Sequence, residues 1–330
     1  MKTPFVNFGQ QYLVHKPEYD RAINRCLENG KLILQEDVEE FEDKLAKRLG
    51  MKHCIGVANG TDAILLGLKA KNVDAEVLVT SGYTFKATME AIAHTNKYTV
   101  GILDVEEDRL MAKTDLPSVP VHIEGMVCRQ DNAVLEDAAQ AIGAEGVGYS
   151  GTFTLSFYPA KILGGFGDGG AILTNDDEVN KRARLLRHNW QTNEDEKYAY
   201  NSRLDNVQAA FLNVKLQYLG EILRRRREIA EKYRELEGLV GLPIYQEGRV
   251  WQDYVITVSE PKKLKAHLES KDIEVLGVGM VPPHRAFGKG GLELPNTERL
   301  YSRMLRLPCN ETLSDQQIKY VIDAVREFYV

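Results

Sequence analysis

Residues Gly151 to Thr174 read GTFTLSFYPAKILGGFGDGGAILT and contain a single lysine. A strand-like apolar run ends at Ser156 to Pro159, Lys161 follows it, and a glycine-rich turn leads into a second strand-like run. A lysine between two apolar runs is difficult to explain as a solvated surface charge. When its surroundings depress its pKa, a lysine becomes a nucleophile that forms Schiff bases with carbonyl compounds, pyridoxal phosphate (PLP) among them. The alternative is a structural lysine whose stem packs on apolar surface.

Short apolar runs alternate with helical patterns on the N-terminal side of this stretch. The predicted strands are 53–57, 76–80, 99–104, 118–123 and 133–135, and the predicted helices are 16–30, 37–49, 61–71 and 85–94. Such alternation is typical of a mostly parallel sheet with helices on both faces. We therefore expect an α/β fold with a large sheet domain.

The C-terminal third has a different pattern. From Leu204 to about Leu239 the sequence is helical and rich in charge, which predicts one long helix leaving the sheet domain. A strand at 253–258 and helices at 262–271 and 314–329 follow. We expect a large domain, residues 1–215, and a small α+β domain, residues 216–330.

Composition excludes several classes of protein. The formal net charge of −6 gives no basic field for nucleic acid or for an anionic membrane. No run of about 18 apolar residues and no signal peptide are present, so we expect neither a membrane protein nor a secreted one. The cysteines Cys26, Cys54, Cys128 and Cys309 are far apart and have no histidines at ligand spacing, which disfavours zinc and disulfides. We expect a cytoplasmic enzyme without a metal site.

Three features fit PLP better than a structural role for Lys161. Asp137 follows a short strand, at the edge where a parallel sheet presents pocket residues, and a carboxylate there could keep the pyridine nitrogen protonated. Gly60 and Thr61 begin a helix, where backbone N–H groups bind phosphate. Phe85 lies at another strand-to-helix junction and could cover the ring. Singly these residues have ordinary structural explanations, as a helix cap, a turn and a core side chain.

The motifs in this order resemble the DegT-type nucleotide-sugar aminotransferases, a family of fold-type-I PLP enzymes. The resemblance rests on NGTDA, GYTFKAT, LEDAAQAIGA, SFYPAK with GDGGAILTND, and YNSRLDNVQAA. It extends from PFVNFGQQY near the N-terminus to VPPHRAFG and RLPCNETLSDQQI near the C-terminus, which is nearly the whole chain.

The resemblance implies a role for each matching residue. Lys161 would form the Schiff base and then move protons, Asp137 would pair with the pyridine nitrogen, and Phe85 would stack on the ring. The remaining implied contacts are Gln140 near the ring hydroxyl, Gly60, Thr61 and Ser156 at the phosphate, Asn201 at the phosphate from the neighbouring subunit, and Arg203 and His284 at the nucleotide-sugar.

The implied reaction is transfer of an amino group, with glutamate as the expected donor, to a keto group of a nucleotide-linked deoxysugar in a homodimer with shared active sites. The segment PFVNFGQQY favours a resemblance to family members that act on a 3-keto sugar. Lys161 favours transamination, because a branch of the family that dehydrates sugars has histidine there. Between Asp104 and Val119 the chain is shorter than usual and lacks much of a helix. Sugar dehydration, an aldolase reaction and a non-catalytic sensor that retains the fold remain as alternatives.

Overall fold

The computed structural model describes residues 1–188 and 199–329. Its large sheet contains seven strands, which are β1 (His53–Val57), β2 (Val77–Ser81), β3 (Thr99–Leu103), β4 (Ser118–Val119), β5 (Glu136–Asp137), β6 (Thr152–Ser156) and β7 (Gly170–Thr174). They pair as β3-β2-β4 and as β1-β7-β6-β5, and parallel bridges Ser118–Ala133 and Val121–Asp137 join the two groups. Strand β7 is antiparallel to both β1 and β6, and the other strand pairs of this sheet are parallel. The predicted mostly parallel sheet is confirmed, although β5 begins after the predicted strand at 133–135.

Helices cover both faces of this sheet. The helices of the large part are α1 (Phe8–Val14), α2 (Lys16–Glu28), α3 (Glu36–Arg48), α4 (Gly60–Lys71), α5 (Lys86–His94), α6 (Asp177–Arg187) and α7 (Asn206–Gln217). The strand β7 shows how alternate side chains serve the two faces. Ile172 packs in a core with α4 and α6, whereas Ala171 and Leu173 pack in a core with α3 and α7.

The long helix expected from Leu204 to Leu239 is two helices in the structure, α7 and α8 (Leu219–Tyr233). The helical conformation is interrupted at Tyr218, with φ −95° and ψ 2°. The Tyr218 ring stacks on His15, with ring centroids 3.6 Å apart, and its hydroxyl donates to Glu18 at 2.7 Å. Contacts with the N-terminal helices thus anchor the break, and periodicity within one helix does not report such contacts.

The C-terminal part has its own core. It contains the antiparallel strands β8 (Tyr254–Thr257) and β9 (Met304–Leu307) with α9 (Pro261–Glu269), α10 (Pro283–Ala286), α11 (Pro295–Arg303) and α12 (Asp315–Tyr329). Helix α8 contributes to both cores, with Leu219 and Ile222 in the large one and Ile229 and Tyr233 in the small one. The domain boundary at 215/216 stays a prediction.

The connection from β3 to β4, residues 104–117, is described throughout and contains no helix. Arg109 takes a left-handed backbone conformation there, with φ 65°, and its buried guanidinium donates to the Val255 carbonyl at 3.1 Å and to Glu124 at 3.3 Å. Glu124 follows Arg109 by 15 residues, whereas Val255 is 146 residues away along the chain. One arginine therefore ties the connection to the large part and to β8.

No helix among the described residues is long and apolar enough to cross a bilayer. All four cysteines are buried and unpaired.

The Phe41 side chain provides a test of how much the core of the large part contributes to stability. It is fully buried in α3 and meets the Phe157 ring edge-on, with centroids 5.2 Å apart. We expect Phe41→Ala to lower the free energy of unfolding by about 3–5 kcal/mol, because it removes a large buried side chain and leaves a cavity. Urea denaturation of the purified protein measures this. The control Tyr245→Ala, at a side chain that is 74% exposed, should change it by less than about 0.5 kcal/mol. Equal losses in the two variants would contradict the expectation.

Candidate active site

Lys161 lies in a turn directly after β6. The Lys161 N–H donates to the Tyr158 carbonyl at 2.8 Å, and the Phe157 N–H donates to the Gly169 carbonyl at 2.8 Å, which closes the turn across the glycine-rich segment. Gln252 holds the turn from the other side. Its Nε2 donates to the Ala160 carbonyl at 3.0 Å and its Oε1 accepts from the Ile162 N–H at 3.1 Å. The peptide groups on both sides of Lys161 are therefore fixed.

The environment of Lys161 favours its neutral amine. Burial lowers the pKa of Lys161 below its usual value, Asp253 and Asp137 partly oppose this, and Arg306 adds to it. An amine with a lowered pKa is the form that attacks a carbonyl carbon. The structure thus gives a physical basis for a nucleophilic Lys161.

Asp137 ends β5, next to β6 in the sheet, with Asp137 opposite Thr154. It is buried, and each carboxylate oxygen accepts one hydrogen bond. Oδ2 accepts from the Thr88 hydroxyl at 2.7 Å and Oδ1 accepts from the Ala139 N–H at 3.1 Å. Since β5 and β6 are parallel, their carboxyl ends bring Asp137 and the lysine turn to the same edge of the sheet. The structure therefore brings these two predicted residues together.

Gly60, Thr61 and Ser156 also meet at this edge. Helix α4 begins at Gly60, and the Asn59 side chain caps it by accepting from the Asp62 N–H at 2.8 Å. Ser156 packs so closely on Gly60 that a Cβ added to Gly60 would lie 2.7 Å from the Ser156 Cβ. Glycine is thus required at position 60, and the Ser156 side chain lies beside a helix N-terminus.

Phe85 directly precedes α5 and is exposed over 68% of its surface, which is unusual for a large aromatic side chain. The Phe85 carbonyl accepts from the Thr88 N–H at 3.2 Å, in the same turn that delivers the Thr88 hydroxyl to Asp137. The N-terminal turn of α5 therefore both positions the exposed Phe85 ring and binds the buried Asp137 carboxylate.

Gln140 is connected to a buried charged group. Its Oε1 accepts from the Glu124 N–H at 2.9 Å. Glu124 is fully buried in a left-handed conformation, with φ 55°, and accepts from the Tyr83 hydroxyl at 2.7 Å. A left-handed non-glycine residue is costly and is often found at functional sites.

The other three predicted residues lie in different surroundings. Asn201 is exposed and forms a β-bridge with His188, and Arg203 places Nη1 3.3 Å from the His188 Nδ1. Burial and then Arg203 lower the pKa of His188. His284 is fully buried in α10, with Nε2 2.9 Å from the Glu298 Oε1. Their roles at a nucleotide-sugar or at a partner's phosphate stay predictions.

Sequence reasoning missed Thr88, Gln252, Asp253 and Arg306. Thr88 could have been found, because it lies one helical turn after Phe85. Gln252 and Asp253 are a polar pair immediately before the apolar strand β8, but nothing in the sequence indicates that they lie beside residue 161.

These residues fit PLP. A lysine with a lowered pKa, a buried and oriented carboxylate, a helix N-terminus beside a serine, and an exposed aromatic ring match the aldehyde, the pyridine nitrogen, the phosphate and the ring face of the cofactor.

Known proteins are similar to this chain in sequence and in fold. The model of the DegT/DnrJ/EryC1/StrS aminotransferase family matches residues 14–117 and 119–326. A pleiotropic regulatory protein from Geobacillus stearothermophilus is 33% identical, with 100% of this chain and 99% of the relative covered. The dTDP-3-amino-3,6-dideoxy-alpha-D-galactopyranose transaminase of Aneurinibacillus thermoaerophilus is 35% identical, with 98% of this chain and 99% of the relative covered.

Solved structures agree with the sequence comparisons. The crystal structure of DesV from S. venezuelae, in complex with a ketimine intermediate, superimposes with a TM-score of 0.90 at 30% identity and covers 99% of this chain and 98% of that chain. The predicted fold class, family and cofactor are confirmed. The chain therefore belongs to the DegT/DnrJ/EryC1/StrS aminotransferase family, and its cofactor is pyridoxal 5′-phosphate.

Proposed function

We propose that this aminotransferase transfers an amino group from glutamate to a keto carbon of a nucleotide-linked deoxysugar. The observation that carries the proposal is the turn that holds Lys161, with its lowered pKa, at the same sheet edge as the oriented carboxylate of Asp137. The name of the Aneurinibacillus relative supports a dTDP-linked sugar and amination at carbon 3. The four buried, unpaired cysteines support a cytoplasmic location.

Each residue of the site has a defined task in this proposal. Bound PLP supplies an electron sink for the carbanion formed at the amino carbon. The Thr88 hydroxyl and the Ala139 N–H orient the Asp137 carboxylate for the pyridine nitrogen. The Lys161 amine takes up and delivers protons as a general base and acid, and its lowered pKa makes the neutral, basic form easier to reach.

We further propose a homodimer with shared sites. The Ser202 hydroxyl contacts the start of α4 in its own chain, because it donates to Asp62 at 2.6 Å. The neighbouring Asn201 is exposed. Leu32 and Ile33 are exposed apolar residues beside this segment, because Ile33 bridges to Asp205. Exposed apolar surface next to Asn201 supports a two-fold contact there.

Amino transfer is tested by supplying glutamate with dTDP-linked and UDP-linked keto sugars. We expect one 2-oxoglutarate for each amino sugar formed, as measured by mass spectrometry, and none with Lys161→Ala. Loss of water from the sugar without 2-oxoglutarate would instead indicate dehydration. Cofactor absorbance that no amino donor changes would indicate a non-catalytic sensor.

Replacing Asp137 separates chemistry from cofactor retention. Asp137→Asn should lower kcat on the order of 10²-fold, because the pyridine nitrogen loses its anionic partner while the helix N-terminus still binds phosphate. Steady-state kinetics and cofactor content measure the two effects. The exposed Asp131→Asn is the matched control and should behave as wild type. Near-normal turnover of Asp137→Asn with bound cofactor would show that another residue faces the ring.

Complementation tests the shared site. Two inactive homodimers, Lys161→Ala and Asn201→Ala/Arg203→Glu, are mixed and re-annealed. If one chain supplies Lys161 and its partner supplies Asn201 and Arg203, each mixed dimer has one intact site, and about a quarter of wild-type activity returns at equal mixing. Failure to recover activity after proven subunit exchange would refute sharing.

A further inference from the structure

A buried charged cluster surrounds Glu124, in the connection between β4 and β5. Glu124 is 1% exposed, and three buried side chains from other parts of the chain contact its carboxylate. The Tyr83 hydroxyl donates to Oε1 at 2.7 Å, the Arg109 Nη1 donates to the same oxygen at 3.3 Å, and the Arg249 Nη2 lies 3.8 Å from Oε2. The charge of Glu124 is therefore paired inside the protein.

The backbone of Glu124 is held in the left-handed region, with φ 55° and ψ 14°. This conformation is unfavourable for a residue with a Cβ. Arg249 holds the residue a second time, because its Nη2 donates to the Glu124 carbonyl at 2.7 Å. The next residue, Gly125, is pressed against Val250, since a Cβ at Gly125 would lie 2.0 Å from the Val250 carbonyl oxygen. Contacts at the carboxylate and at the carbonyl thus maintain the unfavourable conformation.

The N–H of Glu124 points at the side chain of Gln140. It donates to the Gln140 Oε1 at 2.9 Å. A backbone N–H can only donate, so the amide oxygen of Gln140 must face Glu124 and the amide NH₂ group must face away from it. Within residues 1–188 and 199–329, this NH₂ group has no hydrogen-bond partner, and Gln140 is only half-buried. The amide is therefore oriented and has donors available for a ligand.

Gln140 lies in the same turn as the residues that orient Asp137. The Ala139 N–H donates to the Asp137 carboxylate at 3.1 Å. The Ala141 N–H donates to the Ala138 carbonyl at 2.9 Å, which closes the turn around Gln140. One turn thus carries both the carboxylate assigned to the pyridine nitrogen and the oriented amide.

Stability alone does not explain the cluster around Glu124. Replacing a buried ion pair with well-packed apolar residues is often neutral or stabilising, because desolvation offsets the attraction between the charges. A left-handed glutamate adds a further cost. What the cluster provides is a fixed direction for one backbone N–H, and that N–H is bonded to Gln140.

We propose that Glu124 is a positioning residue, which orients the Gln140 amide so that its Nε2 donates to the ring hydroxyl of the bound cofactor. The proposal rests on the proposed function and on the contact between Gln140 and the ring hydroxyl that the family resemblance implies. Glu124 itself does not touch the cofactor and acts through the 2.9 Å bond to Gln140. A donor at the ring oxygen stabilises that oxygen in its anionic form.

A pH titration of the cofactor absorbance, without any substrate, provides the test. When the Schiff base with Lys161 loses its proton, the ring oxygen is left anionic, so a donor to this oxygen lowers the pH at which the absorbance changes. Gln140→Leu removes the donor and should raise this midpoint by about half a unit to one unit. Glu124→Ala should raise it too, by no more than Gln140→Leu does. Glu124→Gln keeps an oxygen for the Tyr83 hydroxyl and should shift it less than Glu124→Ala.

A double variant separates positioning from a merely structural role. In the Gln140→Leu background, Glu124→Ala should cause no further shift, because its effect passes through the missing amide. Tyr83→Phe removes only the hydroxyl that holds the carboxylate and leaves every charge of the cluster in place, so it gives the same comparison if Glu124→Ala does not fold. Ile318→Ala, at a fully buried side chain of the small core, controls for lost stability and should leave the midpoint unchanged.

Three results would overturn the proposal. The first is an unchanged midpoint in Gln140→Leu, and the second is an unchanged midpoint in both Glu124→Ala and Tyr83→Phe. The third is a shift by Glu124→Ala or Tyr83→Phe that is equally large with and without the Gln140 amide.

The titration needs neither glutamate nor a sugar, so its outcome is independent of amino transfer. If amino transfer is absent but the coupled shifts are observed, the proposed function fails and the positioning role of Glu124 still holds. If amino transfer occurs without the shifts, only the role of Glu124 fails.

Discussion

The rest of the site depends on one constraint, which is the partial burial of Lys161. Burial disfavours the charged amine, and the lysine is useful to the enzyme for that reason. Asp253 and Asp137 partly oppose this effect of burial on the pKa of Lys161. The sheet places Asp137 at the end of β5, and the small part contributes Asp253 immediately before β8. Residues of the large sheet and of the small part thus both contribute to the electrostatic environment of this lysine.

The periodicity of apolar residues predicted the features of the fold that depend on local sequence. The alternation of apolar runs and helical segments gave the parallel sheet with helices on both faces, because that pattern reports the side-chain burial of each element. Lys161, Asp137, Gly60 and Phe85 could be found because they follow or precede strands at an edge that topology brings together. The family resemblance added Gln140, Ser156, Asn201, Arg203 and His284, whose roles the residues alone did not indicate.

Residues that act through long-range contacts could not be found in this way. Gln252 is about ninety residues from the peptide groups that it bonds. The break at Tyr218 depends on His15 and Glu18, about two hundred residues away. The buried Glu124 is paired with Arg109 of the short connection before β4. The periodicity of apolar residues does not report the left-handed backbone conformation of Glu124. Contacts of this kind depend on the completed packing, and the sequence of either partner does not report them.

The amide of Gln252 has a mechanical consequence. It joins the small part to the carbonyl of Ala160 and to the N–H of Ile162, so a hinge rotation of the small part would pull on the lysine turn or break both bonds, at about 1 kcal/mol each. Arg226 stiffens the same linkage by holding the carbonyls of Trp251 and Gln252. Any movement of the small part relative to the sheet is consequently coupled to the backbone on both sides of Lys161.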